Sequence, residues 1–266
     1  MRPGTLPLAV LLTWFLIPVP AGAQLQPDTP EKPELEWCLD HLPYRHDYPD
    51  DGKPFGPSVD FMQELAQRAG FRLRFSPNTP FSRCLRQMEQ GKTDLMIRLN
   101  DSPDRRRYMH LIPFDRARTE VLLIRKDSPD VQYFHQLAEL NLLVVRGYNY
   151  NHRALKQLAQ QTRSIPIDSQ DAGLQMLLIG RGDALISSFE VARNRIQSNP
   201  DYHGQFKVAS LDLEPDEASF VHLALAKASP YAHLRQQLAE AIETMVADGL
   251  IPHYFHNLPQ TVASDH

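Results

Sequence analysis

Cys38 and Cys84 are the only cysteines in the chain, 46 positions apart. Two thiols fall short of a structural zinc site, which takes four ligands, so their chemistry is a disulfide or two buried thiols. His253 and His256 stand three apart near the C-terminus and, with no third ligand in reach, read as a surface pair. Acid–base chemistry would have to come from Asp40, His41 or Glu190, because a general acid or base needs a titratable side chain in reach of substrate. Neither a nucleophile elbow nor a zinc helix occurs, so the residues read as non-catalytic, with no cofactor and no metal. The turn Gly147-Tyr148-Asn149 precedes a helix expected to start near Asn151. The N–H groups and dipole of a helix start favour an anion, and Asn149 is equally suited to cap that helix. The run Arg105-Arg106-Arg107 reads on its own as solvated surface charge.

The elements that must position these residues alternate short β-like runs with amphipathic helices, the pattern of parallel sheets covered by helices. Strands are expected at 35–39, 71–75 and 94–97, with helices over 58–69 and from Thr79-Pro80 to Gly91. Gly70 and Gly91 stop these helices, and Pro80 takes a first helical position. A long strand at 119–125 carries the chain onward, and the cycle restarts with strands at 142–145, 165–167 and 183–186 between helices at 151–161, 171–179 and 188–197. A strand at 220–226 returns the chain, and a last helix spans 231–247. The expected fold is therefore α/β and two-lobed, with two crossing strands and a cleft at the strand ends, where open sheets bind ligands.

Residues 1–23 carry Arg2, an apolar run from Leu6 to Val19 and the ending Ala21-Gly22-Ala23. That is the form of a secretory signal cleaved near Ala23; Pro7 and Pro18 interrupt the run, which is short of the ~20 residues of a membrane span. Export makes the disulfide the expectation for Cys38 and Cys84. The formal charge of −4 argues against a nucleic-acid partner, which needs a concentrated basic face. The expected organisation is a signal at 1–23, a disordered linker at 24–33, a first lobe at 34–118 and 219–258, a second lobe at 119–218, and a disordered tail at 259–266.

Several local motifs, in order, resemble those of bacterial extracellular solute-binding proteins of family 3, the periplasmic receptors of polar amino-acid ABC transporters. They are Gly56-Pro57-Ser58-Val59-Asp60-Phe61, Gly91-Lys92-Thr93-Asp94, Ser102-Pro103-Asp104-Arg105, Val144-Val145-Arg146-Gly147-Tyr148-Asn149-Tyr150, Gly180-Arg181-Gly182-Asp183-Ala184, and Leu225-Ala226-Lys227 with Asp248-Gly249. The likeness implies a periplasmic binder that delivers a small solute to a membrane ABC permease complex and works as a monomer. It implies that Arg105 grips a ligand carboxylate with its planar fork, and that Asn100 stands where the family has a serine or threonine. Arg98 departs from a small residue in the family; it is either a second cation in the cleft or the partner of a carboxylate such as Asp101. Tyr44 and Phe81 match positions that sandwich the ligand, although Phe81 also belongs to its helix's own apolar stripe. Gly147 and Asn149 match the turn that completes the carboxylate site, and Asp40 joins the expected ligand-binding set. Ser188 falls where amino-acid receptors commonly place an aspartate for the ammonium group, with Glu190 as a substitute if the turn is shifted. A ligand lacking an amine is thus an open option, as are a sensory role in trans and, on the same fold, a dehydratase.

Overall fold

The computed structural model describes Met1 and residues 31–50, 52–150, 163–213 and 218–256. The chain divides into a short N-terminal unit, Met1–Glu31, and a main unit, Lys32–His266, to which everything below refers. Nearly all of the expected signal segment, most of the expected linker, the expected helix at 151–161 and the expected C-terminal tail lie outside the described residues.

Strands β1 (Glu34–Trp37), β2 (Arg72–Phe75) and β3 (Leu95–Asn100), with helices α1 (Pro57–Arg68) and α2 (Phe81–Glu89), form the first β-α-β-α-β unit. Helix α3 (Pro103–Tyr108) and strand β4 (Met109–Arg116) follow where the sequence shows only a polar stretch. Three arginines hide the helix, but Ser102 caps it by accepting from the Arg105 N–H at 3.2 Å, and Pro103 takes the first turn. Pro113 and irregular burial blur the period-two pattern of β4. The chain then enters a second sheet with β5 (Glu120–Arg125), β6 (Leu142–Val145), β7 (Ser164–Ile167), β8 (Ala184–Ser188) and the short β9 (Phe206–Val208). Helices α4 (Gln170–Leu178) and α5 (Phe189–Ser198) connect these strands. Strand β10 (Phe220–Ala226) returns to the first sheet. The expected single helix over 231–247 is a 3₁₀ turn, Ala232–Leu234, followed by α6 (Arg235–Ala247); Gly249 at φ 71° then starts α7 (Leu250–Phe255).

The first sheet has the order β2-β1-β3-β10-β4 and the second β7-β6-β8-β5-β9. In each, three parallel strands are followed by one that runs antiparallel to them, β10 in the first and β5 in the second, and the edge strand beyond it, β4 or β9, is antiparallel to that one. The chain crosses between sheets at 117–119 and returns before Phe220, and Ala117 N–H donates to Ser219 O at 2.9 Å to tie the two crossings together.

Each sheet is apolar on both faces because helices cover both. In the first lobe, Leu35, Trp37, Leu95 and Ile97 pack with α1, α6 and α7, where Phe61 stacks on Phe114 at 5.0 Å and meets Phe255 edge-on. The opposite face joins Met96, Leu99 and Met109 to Cys84 and Met88 of α2. Full burial of side chains of this size stabilises by about 1.5–3 kcal/mol each. Strict alternation would put Leu99 with Leu95 and Ile97, yet it packs with Met96 on the other face. The phase changes at Arg98, whose φ is +59°, beside a register shift in the β3–β10 pairing. A bulge re-aims one side chain at the cost of local strain; here that side chain is Arg98.

Candidate functional site

The carboxyl ends of the parallel strands of both sheets converge on one cavity of about 170 Å³. The residues after β1, the end of β3 and the head of α2 supply its first-lobe wall; the turn after β6 and the start of α5 supply the second. This is smaller than the ~300–1,000 Å³ of sites for drug-sized ligands, so it suits a small solute.

Arg105 is 4 % exposed and spans the cleft. From α3 its guanidinium donates to Asn100 O in its own lobe and to Gly147 O of the other at 2.9 Å, and it lies 5.8 Å from the Phe81 ring centre. These carbonyls take two of its five donors. Burial lowers its pKa to about 10, partly countered by Tyr108, Tyr148 and Asp101, so it stays cationic at neutral pH. The neighbouring bonds also cross the cleft: Asn100 donates to Asn149 O at 2.6 Å and Asn149 donates to Asp101 O. Phe81 meets Tyr148 edge-on at 4.8 Å.

A second bridge is ionic. Glu190, in the first turn of α5, pairs through Oε1 with Arg45 and through Oε2 with Arg98 at 3.3 Å. Arg98 also reaches Asp115 at 3.4 Å, and His256 holds the other oxygen of Asp115 at 3.0 Å. Both Arg45 and Arg98 lie over the Phe255 ring, at 5.5 and 5.0 Å, within cation–π range. Burial above all, then Arg98, Arg118 and Arg193, pulls Arg45 down to about 9. Farther along α5, Asn194 donates to Pro43 O at 3.2 Å, and Arg195 donates to His41 O at 3.0 Å while pairing with Asp171.

Of the residues singled out in the sequence, Arg98, Asn100, Arg105, Phe81, Asp40, Asn149 and Ser188 all line this cavity. Gly147 contributes its backbone, at φ +81°. The hydroxyl of Ser188 caps α5 by accepting from Val191 N–H at 3.4 Å, and Asp40 lies 3.6 Å from His46 Nε2. Tyr44 is outside the lining: it is 45 % exposed with φ 61°, in a turn that presents it to solvent. Arg98 does pair internally, but with Asp115 and Glu190; Asp101 belongs to Arg106. Glu190 is held by two arginines. His253 and His256 do not act as a pair, since His256 faces Asp115 and His253 packs on Tyr254. Among the described residues no group of three His, Cys, Asp or Glu is disposed to hold a metal. Cys38 and Cys84 form a disulfide that joins the end of β1 to α2.

Arg45, Arg118, Tyr148, Tyr150 and Arg195 also line the site and were not expected. Tyr148 stood in a quoted motif, and its hydroxyl is pushed up to about 12 by burial, with Asp40 adding to the shift. Arg45 lies in a loop, and no local pattern marks it.

A family model, bacterial extracellular solute-binding proteins, family 3, matches residues 37–256, and the chain belongs to that family: it is a binding protein and not an enzyme. A search among curated proteins finds no match. Among solved structures, the fold resembles an ancestral arginine-binding protein bound to arginine, with TM-score 0.70, 18 % identity, and coverage of 86 % of this chain and 99 % of that one. It is also similar to the arginine-, lysine-, histidine-binding protein ArtJ from Geobacillus stearothermophilus, with TM-score 0.69, 18 % identity, and coverage of 86 % and 97 %. A histidine kinase sensor domain with similarity to periplasmic binding proteins gives TM-score 0.72, 15 % identity, and coverage of 88 % and 99 %. At these identities the likeness is one of fold.

Proposed function

We propose that the protein captures a small carboxylate-bearing solute, an amino acid or related organic acid, by closing its two lobes, and delivers it to an ABC transporter permease. The observation that carries this reading is Arg105: a buried guanidinium on the cavity wall, held by one carbonyl from each lobe, with further donors for a carboxylate. The site also includes the turn at 147–149, the Phe81 ring, Asn100, Asp40 and Ser188. Solved relatives of the same fold bind amino acids, arginine among them, which supports a carboxylate at this wall. The form of residues 1–23 supports export, with cleavage near Ala23 and release into the periplasm.

Arg105→Ala tests the reading by calorimetry with a carboxylate ligand found in a thermal-shift screen. The expected loss is about 2–5 kcal/mol, roughly 30-fold or more in affinity. Arg105→Lys, which keeps the charge without the fork, should also bind more weakly while keeping the native circular dichroism. Unchanged affinity in both variants removes Arg105 from the site. A second reading, ligand sensing in trans, is favoured by the likeness to the kinase sensor domain; a neighbouring kinase gene in place of permease and ATPase genes would select it.

A further inference from the structure

Two features that stand apart in the sequence meet in one contact. Arg98 stands where the family resemblance implies a small residue, and Glu190 lies two positions beyond Ser188; in the folded chain they pair across the cleft at 3.3 Å. Arg98 arrives there on a backbone held at φ +59° beside the register shift between β3 and β10, a strained conformation of the kind that persists only where its surroundings over-determine it. Glu190 arrives from the first turn of α5, where the helix dipole favours its negative charge.

Glu190 of the second lobe joins two cations of the first. One oxygen pairs with Arg45 and the other with Arg98, and none of the three side chains is more than 16 % exposed. Both guanidinium groups lie over the Phe255 ring, so the first lobe brings two like charges to one place. Arg98 has a second carboxylate in Asp115 at 3.4 Å, whereas Arg45 has only a neutral acceptor, Phe255 O at 3.1 Å, beside Glu190. With the lobes together, Glu190 stands in for the water that would hydrate these cations. Taking one partner from a buried ion pair leaves an uncompensated charge, and parting the lobes would relieve it by hydration. Arg105, Asn100, Asn149, Asn194 and Arg195 reach across the cleft to neutral backbone carbonyls instead, partners that water replaces at small net cost. Every group in the Glu190 contact belongs to the protein, so it needs no solute atom to form.

We propose that Glu190 is an interlobe latch: its carboxylate, held between Arg45 and Arg98, keeps the lobes together in the solute-free protein. The assignment rests on the reading that the lobes part and close, and adds that closure does not wait for the solute.

X-ray scattering on the purified protein, stripped of solute by refolding, tests the latch. The parent should have a smaller radius of gyration than Glu190→Gln, which keeps the size and removes the charge, and than Arg98→Met, which removes a cation from the other lobe. Both variants should keep the native circular dichroism. The double variant should expand no more than the larger single one, because both changes break the same contact. Gly147→Ala, whose added Cβ would come within 2.6 Å of Leu85 Cδ1, is the control that parts the lobes without touching the latch. A larger radius in Gly147→Ala with parent radii in Glu190→Gln and Arg98→Met overturns the latch and leaves lobe movement standing. Equal radii in the parent and all three single variants also overturn the latch; the parent's radius with and without a solute from the thermal-shift screen then decides whether the lobes move at all. Loss of the native circular dichroism in both Glu190→Gln and Arg98→Met overturns it too, because the pair would then serve folding.

Discussion

His222 lies on β10 at 9 % exposure, with Nδ1 donating to Leu99 O at 3.0 Å. Burial lowers its pKa most; Arg105 and Arg106 lower it further, while the Leu99 carbonyl and Asp101 oppose them. The folded state therefore holds the neutral ring, and the unfolded chain binds the proton first. Stability should be fully present above the ordinary histidine pKa of about 6.5 and should fall as pH drops from there toward the lowered folded value. His110, also lowered by burial, acts with the same sign. Urea denaturation at about pH 7.5 and pH 5.5 should show the loss in the parent protein and a smaller one in His222→Gln; equal losses would remove His222 as a contributor. At this scale the sequence is legible where a residue's role is set by near neighbours. Arg105 was singled out by the short motif Ser102-Pro103-Asp104-Arg105 that carries the family resemblance, while its own run of three arginines reads as surface charge. Arg45 acquires its role from Glu190 and the Phe255 carbonyl and ring, partners brought by two other helices, so nothing beside it in the chain announces it.

Helix α2 is the element on which the first-lobe wall depends, since it carries Phe81 into the cavity. The Cys38–Cys84 disulfide fixes it to the end of β1 across a sequence separation of 46. In the chain-entropy account a loop of that size contributes about 4 kcal/mol. The Cys38→Ser, Cys84→Ser double variant should lose about that much in urea denaturation, and the unreduced parent should resist thiol alkylation by intact mass; alkylation of both thiols would contradict the pairing. Elements with a clean period were readable: α1 from its apolar face and Gly70, β6 from an uninterrupted apolar run. The misses have physical causes. α3 is a single capped turn-and-a-half rich in arginine, β9 is three residues long, and the bulge at Arg98 breaks the alternation by which β3 would have declared its faces.

Across the whole molecule, the two lobes are joined by Arg105 to Gly147, Asn100 to Asn149, Glu190 to Arg45 and Arg98, and Asn194 to Pro43. Under the proposed lobe closure, a ligand would shift the balance of open and closed forms by its differential affinity for them. Gly147 offers a lever on closure that leaves each core alone: a Cβ there would come within 2.6 Å of Leu85 Cδ1 on the facing helix α2, and its φ of +81° already disfavours a side chain. Gly147→Ala should keep native circular dichroism, bind ligand more weakly, and retain a larger radius of gyration in X-ray scattering with ligand than the parent does. Equal radii for parent and variant at saturating ligand would show that closure does not bring these elements together. The two-lobed plan was readable in the repeated strand–helix cycle; the closed contacts were not, because they join side chains whose only relation is across the cleft.

The order of strands in the first sheet has a bearing on how the molecule is assembled during synthesis. Among the described residues β10 is the last strand in sequence, yet it lies between β3 and β4, and β4 has no other strand partner. All five strands of the second sheet fall within residues 120–208, so that sheet can assemble as a continuous insert while the first still lacks its middle strand. Growth from the N-terminus thus makes every strand of the later-starting lobe available before the first sheet has all of its own. The half-built sheet, with β4 unpaired, stays incomplete until the residues through Ala226 arrive, and only then can the binding cavity have two walls.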